Sequence, residues 1–170
     1  MNDGDTNDID SARRDRRTRA VRRYFDACNA ASRSIFAEVL RADCVHYFPP
    51  NAGGPYRSRD AIADLWIGFV RAVGSSWTID RLVCDGVQAV VEWTHFKPDA
   101  GEHIRGSEWY EFDDDDMIVG IWAHYASARD VERPANQLEG FPYEEQGYPS
   151  APPPLDDAAL ASRREATGRA

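Results

Sequence analysis

The chain has 170 residues, 42% hydrophobic and 11% aromatic, which suits one domain with a buried core and is short for two. Against 20 Lys and Arg stand 29 Asp and Glu, a formal charge of -9 that disfavours nucleic acid and anionic membrane as partners. Cysteines 28, 44 and 84 form no C-x-x-C, no signal peptide precedes them and no stretch is apolar enough to span a bilayer, so reduced thiols in a cytoplasm are expected.

Residues 1–10, with four aspartates, read as a disordered tail. From Ser11 the pattern is helical: Ala20, Val21, Tyr24, Phe25 and Cys28 recur at three and four residues, and Arg13 to Arg23 supply a solvated face. That helix ends near Asn29. A short second helix turns Ile35, Phe36, Val39 and Leu40 inward. Cys44 to Phe48 reads as a strand stopped by Pro49-Pro50, and Asn51 to Ser58 as a loop. A third helix begins at Arg59-Asp60, carries Ile62, Leu65, Trp66, Phe69 and Val70 on one side, and ends at Gly74.

Four strands follow: Thr78 to Cys84, Gln88 to Phe96, Ile104 to Phe112 and Met117 to Ser127. Between them lie the turn signals Asp85-Gly86, Pro98 to Gly101 and Asp113 to Asp116. The last is a hairpin turn rather than a calcium loop, because four successive aspartates lack the alternating ligand spacing. Lys97 is the only lysine, and Lys97 to Gly101 reads as a turn. Helices first and a meander later predict an α+β domain over 11–128, with a curved, mainly antiparallel sheet wrapped around a pocket. Residues 129–170 form an extended Pro-rich tail, with aromatics Phe141, Tyr143 and Tyr148, that lies on the body or on a neighbouring subunit. Asp156 to Ala166 is a possible short helix capped by Asp156 or Asp157.

No P-loop, dinucleotide, nucleophile-elbow or zincin motif is present. The chemistry therefore rests on alternation. Val91, Trp93 and His95 share one strand face; so do Ile104, Gly106, Glu108 and Tyr110; so do Trp122 and His124; and so do His46 and Phe48. If all four faces are concave, three histidines and a glutamate meet among aromatic walls. A one-residue slip in any strand puts its members outside. A strand histidine can equally be exposed, or buried and merely hydrogen-bonded.

Val21 to Asn29, Arg41 to Pro49, Tyr56 to Ile62, Trp109 to Asp113 and Ile118 to Tyr125 carry a resemblance. They resemble the SnoaL-like, nuclear-transport-factor-2-like superfamily, which includes polyketide cyclases, ketosteroid isomerase, scytalone dehydratase and limonene epoxide hydrolase. The resemblance implies a cone-shaped α+β fold and a homodimer. It places Tyr24 and Glu108 where ketosteroid isomerases keep two groups that hold the substrate oxyanion. It places Phe48 where they keep the aspartate base, so that base is missing. His95 and His124 fall where limonene epoxide hydrolases keep two water-activating aspartates, with Trp93 in place of the arginine between them.

The resulting expectation is a cofactor-independent lyase, performing dehydration or retro-aldol-type cleavage of a small apolar, aromatic or polycyclic molecule. His124 and His95 are the expected acid–base pair, Tyr24 and Glu108 polarise the substrate, and His46 is a second acid or a substrate contact. Asn29, Phe48, Trp66, Phe69, Trp93, Tyr110 and Trp122 are the expected substrate contacts. The alternatives are an isomerase, cyclase or hydrolase with the same groups, and a non-catalytic ligand-binding module. No metal is expected, since no closely spaced ligand pair pins one, although a three-histidine site is the competing possibility.

Overall fold

The computed structural model describes residues 3–49, 52–127, 135–136 and 142–168. The first helix, α1, spans Asp3–Ala30 and runs through most of the segment read as a disordered tail. No proline interrupts that segment. Val21, Tyr24, Phe25 and Cys28 form the buried stripe, as their spacing predicts. Arg17 departs from the solvated face assigned to it. It is buried, and its guanidinium ties α1 to two turns of the sheet.

Helix α2 (Arg33–Val39) buries Phe36 and Val39 and hands the chain directly to β1 (Leu40–Tyr47). A two-residue strand, β2 (Tyr56–Arg57), pairs with β1 inside the segment read as loop. Helix α3 spans Arg59–Val73. The Ser58 side chain accepts from Ala61 N at its start, and Gly74 in the left-handed region closes it. Then come β3 (Ser76–Cys84), β4 (Gln88–Lys97), β5 (Glu102–Phe112) and β6 (Ile118–Tyr125). The turn from β5 to β6 is the expected hairpin: Asp113 Oδ1 accepts from the Asp115 and Met117 amides.

The sheet order is β2-β1-β6-β5-β4-β3. The meander is antiparallel, as predicted, and β1 joins it in parallel, beside β6. Register shifts in the β1–β6, β3–β4 and β5–β6 pairings bend the ribbon. The helices lie on one face, and the core cluster fills the space between.

The C-terminal segment lies on the body. Ala135–Asn136 forms β7, which pairs in parallel with the start of β5. Tyr143 and Tyr148 stack against Arg105, whose Nη2 also donates to Pro149 O at 2.9 Å. Phe141 lies outside the described residues. Helix α4 (Asp157–Thr167) has its predicted cap, Asp156 Oδ1 accepting from Ala159 N at 2.8 Å. It docks on α3 and the turn beyond it: Arg71 Nη2 donates to Ala166 O, and Arg163 Nη2 to Gly74 O and Ser75 O.

Candidate active site

A cavity of about 1040 Å³ opens between α1, α3 and the inner face of the sheet. Strand alternation lines it. Trp93 and His95 project inward from β4, Ile104 and Glu108 from β5, and Trp77 from β3. Tyr24 enters from α1, and Leu65, Trp66 and Phe69 from α3. A pocket of this size with mostly aromatic walls suits a flat, ring-bearing molecule.

Gly106 has a defined job in this wall. It pairs directly with Trp93, and a Cβ there would meet the indole at 2.6 Å and His124 O at 2.4 Å. Only glycine lets Trp93 lie against β5.

At the floor sits a buried polar chain. Trp66 Nε1 donates to Tyr24 Oη at 2.7 Å. Tyr24 Oη lies 3.4 Å from His46 Nδ1. His46 Nε2 lies 3.3 Å from Glu108 Oε1, near enough for attraction but not aligned as a hydrogen bond. Tyr110 Oη donates to Glu108 Oε2 at 2.5 Å. Burial first, then the neighbouring Cys28 and Glu108, push the Tyr24 phenol well above its ordinary value. Tyr110 is pushed up likewise by burial and by Glu108. Both phenols therefore keep their protons at neutral pH. Tyr24 Oη accepts from Trp66, which leaves its own hydrogen for His46 Nδ1 or for a bound molecule.

On the side wall, His95 stacks on Trp77 with ring centroids 4.3 Å apart and stands edge-on to Phe69 and Trp66. Its Nε2 lies 2.7 Å from Ser75 Oγ. Burial first, and then the Lys97 charge, pull its pKa well below 6.5, so the ring is neutral at pH 7. That depression links stability to pH. Between the folded and unfolded pKa values the unfolded chain binds a proton that the native state refuses. Stability is thus full above ~6.5 and falls by up to about 1.4 kcal/mol per unit as pH drops below it. Urea unfolding of the wild type and of His95→Gln at pH 7.5 and 5.5 measures this. The wild type should lose more stability than the variant, and equal losses would refute the assignment.

Several expected site residues are placed elsewhere. Trp122 and His124 fall on the outer face: Trp122 stacks on Tyr47, and His124 is exposed and reaches the cavity only at its rim. In an antiparallel pair, residues directly opposite share a face, and Glu108 stands opposite Ala123 while His124 stands opposite Ser107. Facing Glu108 inward therefore sends His124 outward. The three histidines do not converge, and among the described residues no group of His, Cys, Asp and Glu is set to hold a metal. His46 has the predicted orientation but is sealed behind Phe48, which stacks on it at 4.2 Å. Tyr110 is also behind the wall, held by Glu108. Asn29 contacts no ligand space. Its amide pairs with both backbone groups of Trp77 and fastens α1 to β3.

Sequence reasoning also missed residues. Lys97 was read as part of a turn, yet it ends β4 on the face of Val91, Trp93 and His95 and lines the cavity. Carrying the alternation two residues further would have found it. Trp77 was missed because the strand was started two residues late. Ser75, the partner of His95, has no local signal.

A profile of the SnoaL-like domain matches residues 21–121. The chain belongs to the SnoaL-like family. Among solved structures, a protein of unknown function with a cystatin-like fold from Methylobium petroleophilum PM1 shares 35% identity at a TM-score of 0.65, over 84% of this chain and 97% of its own. A putative ketosteroid isomerase from Kribbella flavida shares 20% identity at 0.58, over 84% and 94%. A putative polyketide cyclase from Sinorhizobium meliloti shares 19% at 0.54, over 62% and 93%. The last two show the fold alone. No curated protein matches. The α+β architecture expected from the SnoaL-like resemblance, a curved mixed sheet backed by helices, is the one observed.

Proposed function

We propose that this SnoaL-like protein is a lyase that dehydrates an aromatic or polycyclic β-hydroxy ketone without an organic cofactor. The observation that supports this most is the pair of groups on either side of Trp66. Tyr24 is a protonated donor, hydrogen-bonded through Trp66 Nε1, and His95 is a neutral imidazole in contact with the same indole. With the Nε2 hydrogen given to Ser75, Nδ1 keeps the lone pair a base needs.

In the proposed reaction, His95 removes the proton on the carbon next to the carbonyl. The electron pair moves onto the carbonyl oxygen, where the Tyr24 hydroxyl stabilises the enolate. The enolate then reforms the carbonyl and the adjacent C–O bond breaks. The departing hydroxyl takes the proton back from His95 and leaves as water. Burial disfavours the imidazolium, which weakens His95 as a base but makes it a ready acid for the second step. Glu108, coupled to Tyr24 through His46, steadies the floor of the site.

An isomerase or cyclase is the second reading, favoured by the names carried by the Kribbella and Sinorhizobium structures. It would use the same two groups without expelling water. A panel of aryl β-hydroxy ketones, followed by absorbance of the conjugated product and by mass, separates the two. Loss of 18 mass units, about one water, supports the lyase; an isobaric product supports the isomerase. His95→Gln and Tyr24→Phe should each lower kcat/KM by roughly 10²–10³ with unchanged circular dichroism. Full turnover in both variants would sink the assignment.

A further inference from the structure

Among the described residues, helix α4 supplies none to the cavity lining, yet it grips the residue that holds His95. Arg163 of α4 is half-buried, and its Nη2 donates to Gly74 O and to Ser75 O, both at 3.0 Å. Ser75 is fully buried, and its Oγ lies 2.7 Å from His95 Nε2. We propose that Arg163 is a positioning residue for His95, acting through Ser75, so that the C-terminal helix helps set which imidazole nitrogen carries the hydrogen. The inference rests on the reading of His95 as the base of this cavity, and it adds what keeps that base in the form the reaction needs.

Three features support it. First, Gly74 and Ser75 are the whole link between α3 and β3. Gly74 closes α3 in the left-handed region, so the carbonyls beyond that point have no partner within the helix. Arg163 donates to both, and a planar guanidinium fixes their direction as well as satisfying them. Second, Ser75 is the group that tells one ring nitrogen from the other. Stacking on Trp77 sets the plane of the His95 ring but does not distinguish Nε2 from Nδ1. A neutral imidazole carries one ring hydrogen, and the bond made at one nitrogen decides the state of the other. The Ser75 side chain is a single rotatable bond long, so a shift of its backbone moves Oγ with it and stretches the bond to Nε2. Third, Arg163 stands on an anchored helix. Asp156 caps the first turn of α4, Arg71 Nη2 donates to Ala166 O at 2.9 Å, and Ala166 packs on the core. A positioning group acts only if its own support is fixed.

Nitrogen NMR of the full chain, labelled in its histidines, tests this without any substrate. His95→Gln removes one set of ring signals and so assigns them. At neutral pH the wild type should favour the Nε2–H form of His95 by at least about tenfold, the bias expected of one buried hydrogen bond. Ser75→Ala should remove most of that bias. Arg163→Gln should lower it by roughly threefold or more with unchanged circular dichroism, and Arg163→Lys should restore part of it. In the Ser75→Ala chain, Arg163→Gln should change nothing further at His95, because the coupling passes through Ser75. A purely structural clamp gives a different result: a lower Tm in Arg163→Gln with the His95 signals of the wild type. That result, or an Arg163→Gln effect that persists without Ser75, overturns the inference and leaves the proposed reaction standing. If Arg163→Gln fails to fold, Ser75→Ala still decides, since wild-type His95 signals in that variant break the chain of contacts. A wild type with no tautomer bias overturns both the inference and the base assignment, whereas full turnover in His95→Gln overturns the reaction alone.

Discussion

Gly106→Ala should destabilise the fold by about 3 kcal/mol or more and reshape the cavity at the same time. The added methyl would sit 2.4 Å from His124 O, a backbone atom of the neighbouring strand, and 2.6 and 2.9 Å from two carbons of the Trp93 ring. Overpacking of this kind ordinarily costs ~1–3 kcal/mol, and it exceeds that when the obstacle is backbone in a paired ladder. Two relaxations are open. Trp93 can swing into the cavity and occupy ligand space, or β6 can move away from β5 and break the pairing that faces Glu108 inward. Trp93→Ala in the same chain removes the ring clash and leaves the carbonyl clash, so the double variant should lose less than the sum of the single losses. Gly101→Ala is the matched control: nothing lies within 4 Å of its Cβ position, and only its positive φ is strained, at ~1 kcal/mol. Thermal unfolding of the four variants tests the account. A Gly106→Ala loss no larger than that of Gly101→Ala would contradict it.

The sequence made β4 and β5 legible because each is a long strand that alternates without interruption across the site. Trp93, His95 and Glu108 all face where a period of two puts them. Strand β6 was not legible by the same rule, and the reason is local. Ile118 is buried, and counting by two from it places Gly120, Trp122 and His124 inside. The pairing, however, runs Glu111 to Gly120 and Phe112 to Ile118, so Val119 is an extra residue. That bulge changes the parity, and Ile121, Ala123 and Tyr125 face in instead. A bulge leaves no mark in composition, so the aromatic and basic weight of Trp122 and His124 suggested a site that the ladder excludes. Asn29 and His46 failed differently. Their elements were correctly found, but Asn29 is consumed by Trp77 on another element, and His46 is covered by Phe48, its neighbour on the same strand face. The helix ends at Ser58 and Gly74 and the cap at Asp156 were legible because capping is decided within a few residues.

Replacing Arg17 with Ala should cost about 3–5 kcal/mol, far more than its place in a run of surface arginines suggests. Its guanidinium is nearly inaccessible and serves four acceptors: Asp116 Oδ1 at 2.7 Å, Gly86 O at 3.1 Å, Val87 O at 2.9 Å and Asp113 O at 2.8 Å. It also lies 5.0 Å from the Phe112 ring centroid. Removing it leaves three carbonyls and a carboxylate short of a donor. Arg16, half exposed, can still hold Asp116 Oδ2. Arg17→Lys should recover less than half the loss, because one ammonium cannot span a fork of acceptors set by a planar guanidinium. The consequence reaches the cavity. Arg17 clamps the β3–β4 and β5–β6 turns to α1, and the second of these turns leads straight into the bulge that fixes the parity of β6. Once the clamp is loosened, a one-residue slip would bring His124 to the inner face and expel Ala123. Urea unfolding measures the first effect, and hydrogen exchange of the β6 amides the second. Arg17→Ala should unfold at a lower midpoint with an unchanged slope, and its β6 amides should exchange faster than those of β4. A loss below about 1 kcal/mol, in the range of an exposed ion pair, would show that Arg17 is only part of the solvated face.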